Sequence, residues 1–313
     1  MNDPRARILR RAGWLAALAA AVAVGALALG AYRGQDYRPR FARAAGELVA
    51  VRDSTGVALL PDGYRVTDVT LVGDTGFEAR ARVRAPGLQD GVRRPALILI
   101  GGYEVGRAVV QLPDSAAGLV LASVEYPYDF GSGPRGVSWL WRFAGVRRAW
   151  IDTPPAILLL VQYLCIREDV DPDRVTILGA GPGTPYAVAA AATDRRIGGV
   201  ALLHGGNDLG RMMADAPAGG LPGWTISPIS RLITLAVAPL EPSKYAGAIA
   251  PRPLLMLNAT DDEVVPRESA LALYEAARRP KRLIWHQQRD AARQASAELM
   301  AETLAWMRER DLR

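Results

Sequence analysis

A chain of 313 residues, half of them hydrophobic and 22% charged, has the material for a sizeable core and is neither disordered nor repetitive. Its formal net charge of +6 would fit a nucleic-acid binder if it lay on a folded face. Residues 1–50, however, hold eight arginines (Arg5, Arg7, Arg10, Arg11, Arg33, Arg38, Arg40, Arg43) against Asp3, Asp36 and Glu47, so the remainder is almost neutral and nucleic acid is excluded as its partner. The single cysteine, Cys165, excludes an internal disulfide and a cysteine-based zinc site.

Residues 1–11 form a basic N-terminal segment. From Ala12 to Tyr32 no charge interrupts 21 residues, about 31 Å as a helix at ~1.5 Å per residue, enough to cross a hydrocarbon core. Trp14 and Tyr32 sit near its ends, where amphipathic rings favour the interface. A cleaved signal peptide competes with this reading, since Ala26-Leu27-Ala28 is a passable cleavage site, but the apolar run is longer than a usual signal core and favours an uncleaved single-pass anchor. Four arginines flank each side; the N-terminal four are closer together and joined by the α-amino group, which places the body on the extracytoplasmic face of the cell membrane. Residues 33–46, Arg-rich with Pro39, read as a linker.

The body spans residues 47–313. Leu48 to Arg52, Tyr64 to Val72 and Phe77 to Arg84 alternate apolar and polar residues, as antiparallel strands with one wet face do. Ala96 to Ile100, Leu119 to Val124, Ile197 to Leu203 and Pro253 to Asn258 are continuous apolar runs, the pattern of strands buried on both faces. Helices are predicted from about Trp150 to Cys165, with Asp152 or Thr153 as cap and Pro154 in the first turn, and over Arg267–Arg278 and Arg293–Arg310, the strand Lys281–Gln287 lying between the last two. Asn207 to Ala248, dense in Gly, Pro and Met, reads as a cap insertion. The fold class is α/β, with a mostly parallel sheet covered by helices.

Between the first long helix and Ile197 lies Val175-Thr176-Ile177-Leu178-Gly179-Ala180-Gly181-Pro182-Gly183-Thr184, a strand, a sharp glycine turn and the start of an Ala-rich helix. This is the setting of a Gly-x-Ser-x-Gly nucleophile elbow, with Gly181 where the serine would stand. A dinucleotide fingerprint fits less well: its third glycine would fall at Thr184, and His204 stands where its acidic residue belongs.

Together with Gly101-Gly102-Tyr103 after a buried strand and Ala259-Thr260-Asp261-Asp262-Glu263-Val264-Val265-Pro266 after a later one, the elbow makes residues 47–313 resemble the α/β-hydrolase superfamily, in its bacterial serine esterase, dipeptidyl-peptidase-like or dienelactone-hydrolase-like branch. The resemblance implies an α/β-hydrolase fold, an oxyanion turn at Gly102 and Tyr103, a triad acid at Asp262 and a histidine after the last strand. The last of these is missing: Gln288-Arg289-Asp290-Ala291 occupies that turn, with Asp290 near the histidine's position.

The departures have chemical consequences of their own. Gly181 offers neither hydroxyl nor thiol for acyl transfer. Pro182 lacks the N–H that the residue after the nucleophile gives to the oxyanion, and one such donor is worth ~100 to 1000-fold in rate. Among replacements, His204 ends a strand at the expected pocket rim, as pocket lining or as a turn residue; His286 reads as a strand imidazole; Asp262 reads as a turn carboxylate with no imidazole to orient. Thr184 and Cys165 fall in predicted helices with no obvious base beside them, Ser227 and Ser230 read as turn and cap residues, and adjacent acids such as Asp261, Asp262 and Glu263 are usually solvated and not metal ligands.

The expectation is a membrane-anchored, non-catalytic member of the superfamily without cofactor or metal, binding a small apolar or acyl ligand near Tyr103, Tyr126, Tyr128 and Trp224. Two alternatives stand beside it. One is an ester or peptide hydrolase with a non-standard catalytic set, or with metal-activated water near His204, Asp208 and Asp262; the other is a scaffold presenting its cap to a protein partner.

Overall fold

The computed structural model describes residues 29–60, 63–86, 91–102, 106–111, 118–127, 139–210, 234–262, 264–287 and 292–312, with the isolated positions Gly25, Leu27 and Pro113. The chain divides into two compact units, Met1–Tyr37 and Arg38–Arg313. In the first, residues 29–34 are helical. Most of the predicted anchor, residues 12–24 with 26 and 28, lies outside the described residues. Among these, one helical stretch is long and apolar enough to cross a membrane, Arg147–Ile166, and most of it is buried as a core helix of the second unit.

The second unit opens with α1 (Arg38–Ala45) inside the stretch expected as linker. Its reason is local: Phe41 and Ala45, one turn apart, both bury, and the Phe41 ring meets the Tyr245 ring edge-on at 6.4 Å. Three antiparallel strands follow, β1 (Leu48–Leu59), β2 (Tyr64–Gly73) and β3 (Glu78–Pro86). Next come β4 (Arg94–Ile100), β5 (Val120–Val124), α2 (Trp139–Ile166), β6 (Val170–Ala180), α3 (Thr184–Thr193) and β7 (Ile197–Leu203). The short α4 (Ser243–Ala246), β8 (Leu254–Ala259), α5 (Arg267–Ala276), β9 (Lys281–His286) and α6 (Ala292–Glu309) complete the order. One nine-stranded sheet results, β1-β2-β3-β5-β4-β6-β7-β8-β9, parallel from β5 to β9.

The central strands are buried on both faces, as their unbroken apolar runs require. Leu97, Leu99, Leu178, Leu255 and Leu257 share one core cluster with Trp306 and Met307 of α6, while α2 and α3 pack on β6. Helix α2 begins well before the predicted cap and runs through Pro154 and Pro155, which remove two helix N–H donors. Packing carries it across, since Ala149, Trp150, Ile151, Thr153 and residues 156–161 are all buried, and the Thr153 hydroxyl donates to the Ala149 carbonyl at 2.8 Å. Of the cap insertion, residues 207–210 and 234–248 are described and 211–233 are not.

The turn after β6 is fixed by two close approaches. A Cβ at Gly179 would meet the Ala187 Cβ at 2.7 Å, and one at Gly183 would overlap the Ile100 carbonyl oxygen, so α3 lies against β4 and β6 only because both positions lack side chains. Gly181 between them differs: φ is +49°, and an added Cβ would meet nothing within 4 Å among the described residues. Gly183→Ala is therefore expected to cost about 3 kcal/mol or more. Gly181→Ala should cost only the ~1–2 kcal/mol of a left-handed residue. Chemical denaturation of the two variants checks the order; equal losses would contradict this account of the turn.

Candidate active site

Parallel pairing brings the chemistry to one edge of the sheet. Ile100 of β4 pairs with Gly179 of β6, and Ala180 pairs with Leu203 of β7. Gly102, Gly181 and His204 therefore stand at three consecutive strand ends, with strands spaced about 4.8 Å apart. Leu203 pairs with Leu257 of β8, and Ala259 pairs with His286 of β9, which sets Asp262 and His286 on the same edge.

His204 leaves its strand in the left-handed region, φ +50°, uncommon for a residue with a side chain, while its N–H still donates to the Leu257 carbonyl at 2.9 Å. That backbone position goes with an imidazole whose Nδ1 lies 2.7 Å from Asp262 Oδ2. Asp262 Oδ1 accepts from the N–H groups of Val264 and Val265, both at 2.9 Å. Asp262 is thus the turn carboxylate expected from the sequence and also has an imidazole to orient, which was not expected. The two side chains are 29% and 9% exposed. Burial pushes the Asp262 carboxyl up, but the His204 bond, the Val265 and Val264 amides and the charge of His204 outweigh it and hold the group below the ordinary 3.8. An ionised carboxylate only accepts, so His204 Nδ1 carries the proton between them, and Nε2 is the nitrogen that accepts whenever the ring holds a single proton.

The chain has two histidines, and both are here. The His286 ring stands edge-on to that of His204, centroids 5.3 Å apart and planes at 88°. Its Nε2 is buried with no hydrogen-bond partner among the described residues, as is Asn258 Oδ1; Asn258 is 1% exposed and donates from Nδ2 to the Gly205 carbonyl at 2.9 Å. Beyond Gly205 the loop is pinned. The Ser269 hydroxyl donates to the Asn207 carbonyl at 2.6 Å, and Glu241 accepts from the N–H groups of Asp208 (2.7 Å) and Leu209 (3.2 Å). Burial, only partly offset by those amides, pushes the Glu241 carboxyl up.

The elbow apex carries no reacting atom. Gly181 is bare, and Pro182 is exposed and has no N–H to give. At the neighbouring turn a Cβ at Gly102 would also meet nothing within 4 Å among the described residues, and the Tyr126 hydroxyl donates to the Gly101 carbonyl. Thr184 is 1% exposed, with its hydroxyl 3.4 Å from the Gly179 carbonyl, which removes it as a nucleophile. Cys165 ends α2 near Arg196, Asp194 and Asp173, residues at the opposite ends of the strands, and burial pushes its thiol up. Among the described residues no group of three or more His, Cys, Asp or Glu side chains could hold a metal, so metal-activated water finds no ligand set there. Tyr103, Tyr128, Trp224, Ser227, Ser230, Asp290 and the Gln288–Ala291 turn lie outside the described residues.

Sequence reasoning missed the partnership of His204 with Asp262 and the approach of His286. The available signal was that a histidine-poor chain places both of its imidazoles at the ends of strands of the parallel half.

A mostly parallel sheet with an elbow after β6 and an acid after β8 is the α/β-hydrolase fold, and the chain adopts it. Solved structures similar to it include an acetyl xylan esterase from a Paenibacillus species, at TM-score 0.66 and 16% identity over 86% of this chain and 93% of that one. A second acetyl xylan esterase, from a Thermoanaerobacterium species, gives 0.59 and 17% over the same shares. The 2,6-dihydroxy-pseudo-oxynicotine hydrolase gives 0.53 and 23% over 76% of this chain and 66% of that one. These identities speak for the fold alone. No protein-family model and no curated protein sequence matches the chain.

Because its carboxyl is held low in the folded state, Asp262 contributes stability that is full above pH 3.8 and is lost as the pH falls through its folded value. The stability difference between the natural protein and Asp262→Asn should shrink as the pH falls below that value. A difference independent of pH down to pH 2 would contradict the pairing.

Proposed function

We propose that this chain is a membrane-tethered α/β-hydrolase-fold protein that binds a small apolar or acyl ligand at the C-terminal edge of its sheet without ever bonding to it covalently. The observation that carries this reading is the elbow: its backbone turn is kept, its apex is Gly181 with no described residue within 4 Å of an added Cβ, and Pro182 removes an oxyanion donor. His204, oriented by Asp262, serves as the polar anchor for such a ligand. The tether is supported by the uncharged run from Ala12 to Tyr32.

A second reading is favoured by one observation, the 2.7 Å bond between His204 and Asp262. An imidazole held with Nδ1 protonated can take a proton from water, so the site could hydrolyse an activated ester in one step with no acyl-enzyme. A base of this kind contributes ~100 to 10,000-fold.

Both readings predict that a fluorophosphonate probe, which reports an activated serine, leaves the full chain unlabelled in carbonate-washed membranes. Labelling would overturn both, and release of the chain by the wash would overturn the tether. Nitrophenyl ester turnover separates them: a steady rate without a burst that falls at least tenfold in His204→Ala is expected of one-step hydrolysis, and a rate no greater than that of the variant is expected of binding alone.

A further inference from the structure

The space above Gly181 lies beside a base. Gly102, Gly181 and His204 end three neighbouring strands, and among the described residues a Cβ at either glycine would meet nothing within 4 Å. Two bare turns therefore adjoin the imidazole that Asp262 orients through Nδ1. What Gly181 lacks relative to serine is one hydroxymethyl group, a carbon bearing a hydroxyl. A primary alcohol is that same group detached from the chain.

We propose that the site catalyses direct transfer of an acyl group from an activated ester or thioester to a small primary alcohol, whose hydroxyl occupies the space above Gly181. The proposal rests on the reading that nothing at position 181 bonds to the ligand. His204 Nε2 takes the hydroxyl proton as the alcohol oxygen bonds to the acyl carbon. The bond from that carbon to the leaving oxygen or sulfur breaks, and the leaving group takes the proton from Nε2. The products are a new ester and the departing alcohol or thiol, with no change of oxidation state. Asp262 keeps the Nδ1 proton in place and stabilises the imidazolium while it lasts. The donor has to be activated because Pro182 gives the developing oxyanion no N–H.

The test uses the purified full chain in detergent with p-nitrophenyl butyrate and increasing methanol. Nitrophenol release is expected to rise and saturate, about tenfold or more above the rate in water, with methyl butyrate as the main product. His204→Ala should lose the methanol-dependent part. Gly181→Ala, whose methyl group takes the place of the methanol carbon, should lose it too, and this second variant decides the matter if the first fails to fold. Butyrate as the sole product, or a methanol response that is linear and unchanged in Gly181→Ala, would overturn the proposal. If butyrate still raises the melting temperature in that case, ligand binding stands and acyl transfer falls. Labelling of the chain by a fluorophosphonate would remove both.

Discussion

The bond from His204 Nδ1 to Asp262 Oδ2 depends on the ends of β7 and β8 arriving in register, and the chemistry of the site depends on that bond. Hydrogen bonding between β6, β7 and β8 brings Gly181, His204 and the turn containing Asp262 to one edge. The amides of Val264 and Val265 hold the other carboxylate oxygen, so Asp262 is fixed from two sides and can fix the imidazole in turn. The left-handed backbone at His204 and at Asp208 is sustained by the loop between them, which Ser269 and Glu241 pin to neighbouring elements. Strain of this kind, ~1–3 kcal/mol per residue, persists only where surrounding contacts determine the backbone.

The elbow shows which features of a catalytic turn belong to packing and which to chemistry. Gly179 and Gly183 serve packing, because side chains there would strike α3 and β4, and both are present. Gly181 and Pro182, by contrast, carry no hydroxyl and no N–H, and Gln288-Arg289-Asp290-Ala291 contains no imidazole. An imidazole and a carboxylate are nevertheless held together one strand away. A turn kept only as a structural remnant would need neither, and this is why the His204–Asp262 pair decides how the site is read.

The α/β architecture was legible because strands buried on both faces leave unbroken apolar runs, as in Ala96 to Ile100 and Ile197 to Leu203, while the antiparallel start alternates. The glycine turn was legible for the same local reason. Less visible were features that depend on distance in the sequence. His204 and Asp262 are 58 residues apart, and their meeting follows from strand order and register, which periodicity does not encode. Helix α2 crosses Pro154 and Pro155 because burial outweighs two lost donors, a tertiary effect that a local rule for proline reads as a helix start. Helix α1 is short and carries three arginines, so its buried pair Phe41 and Ala45 leaves no apolar periodicity in the sequence.

With two imidazoles in the chain, a nitrogen-15 spectrum of the side chains contains four ring nitrogens and is open to complete assignment. At neutral pH, His204 should show a protonated Nδ1 with a proton resonance well downfield of an ordinary imidazole N–H, and Asp262→Asn should abolish that shift while leaving His286 in place. A His204 ring protonated on Nε2 alone, or a spectrum unchanged by the substitution, would contradict the pairing on which the account of the site rests.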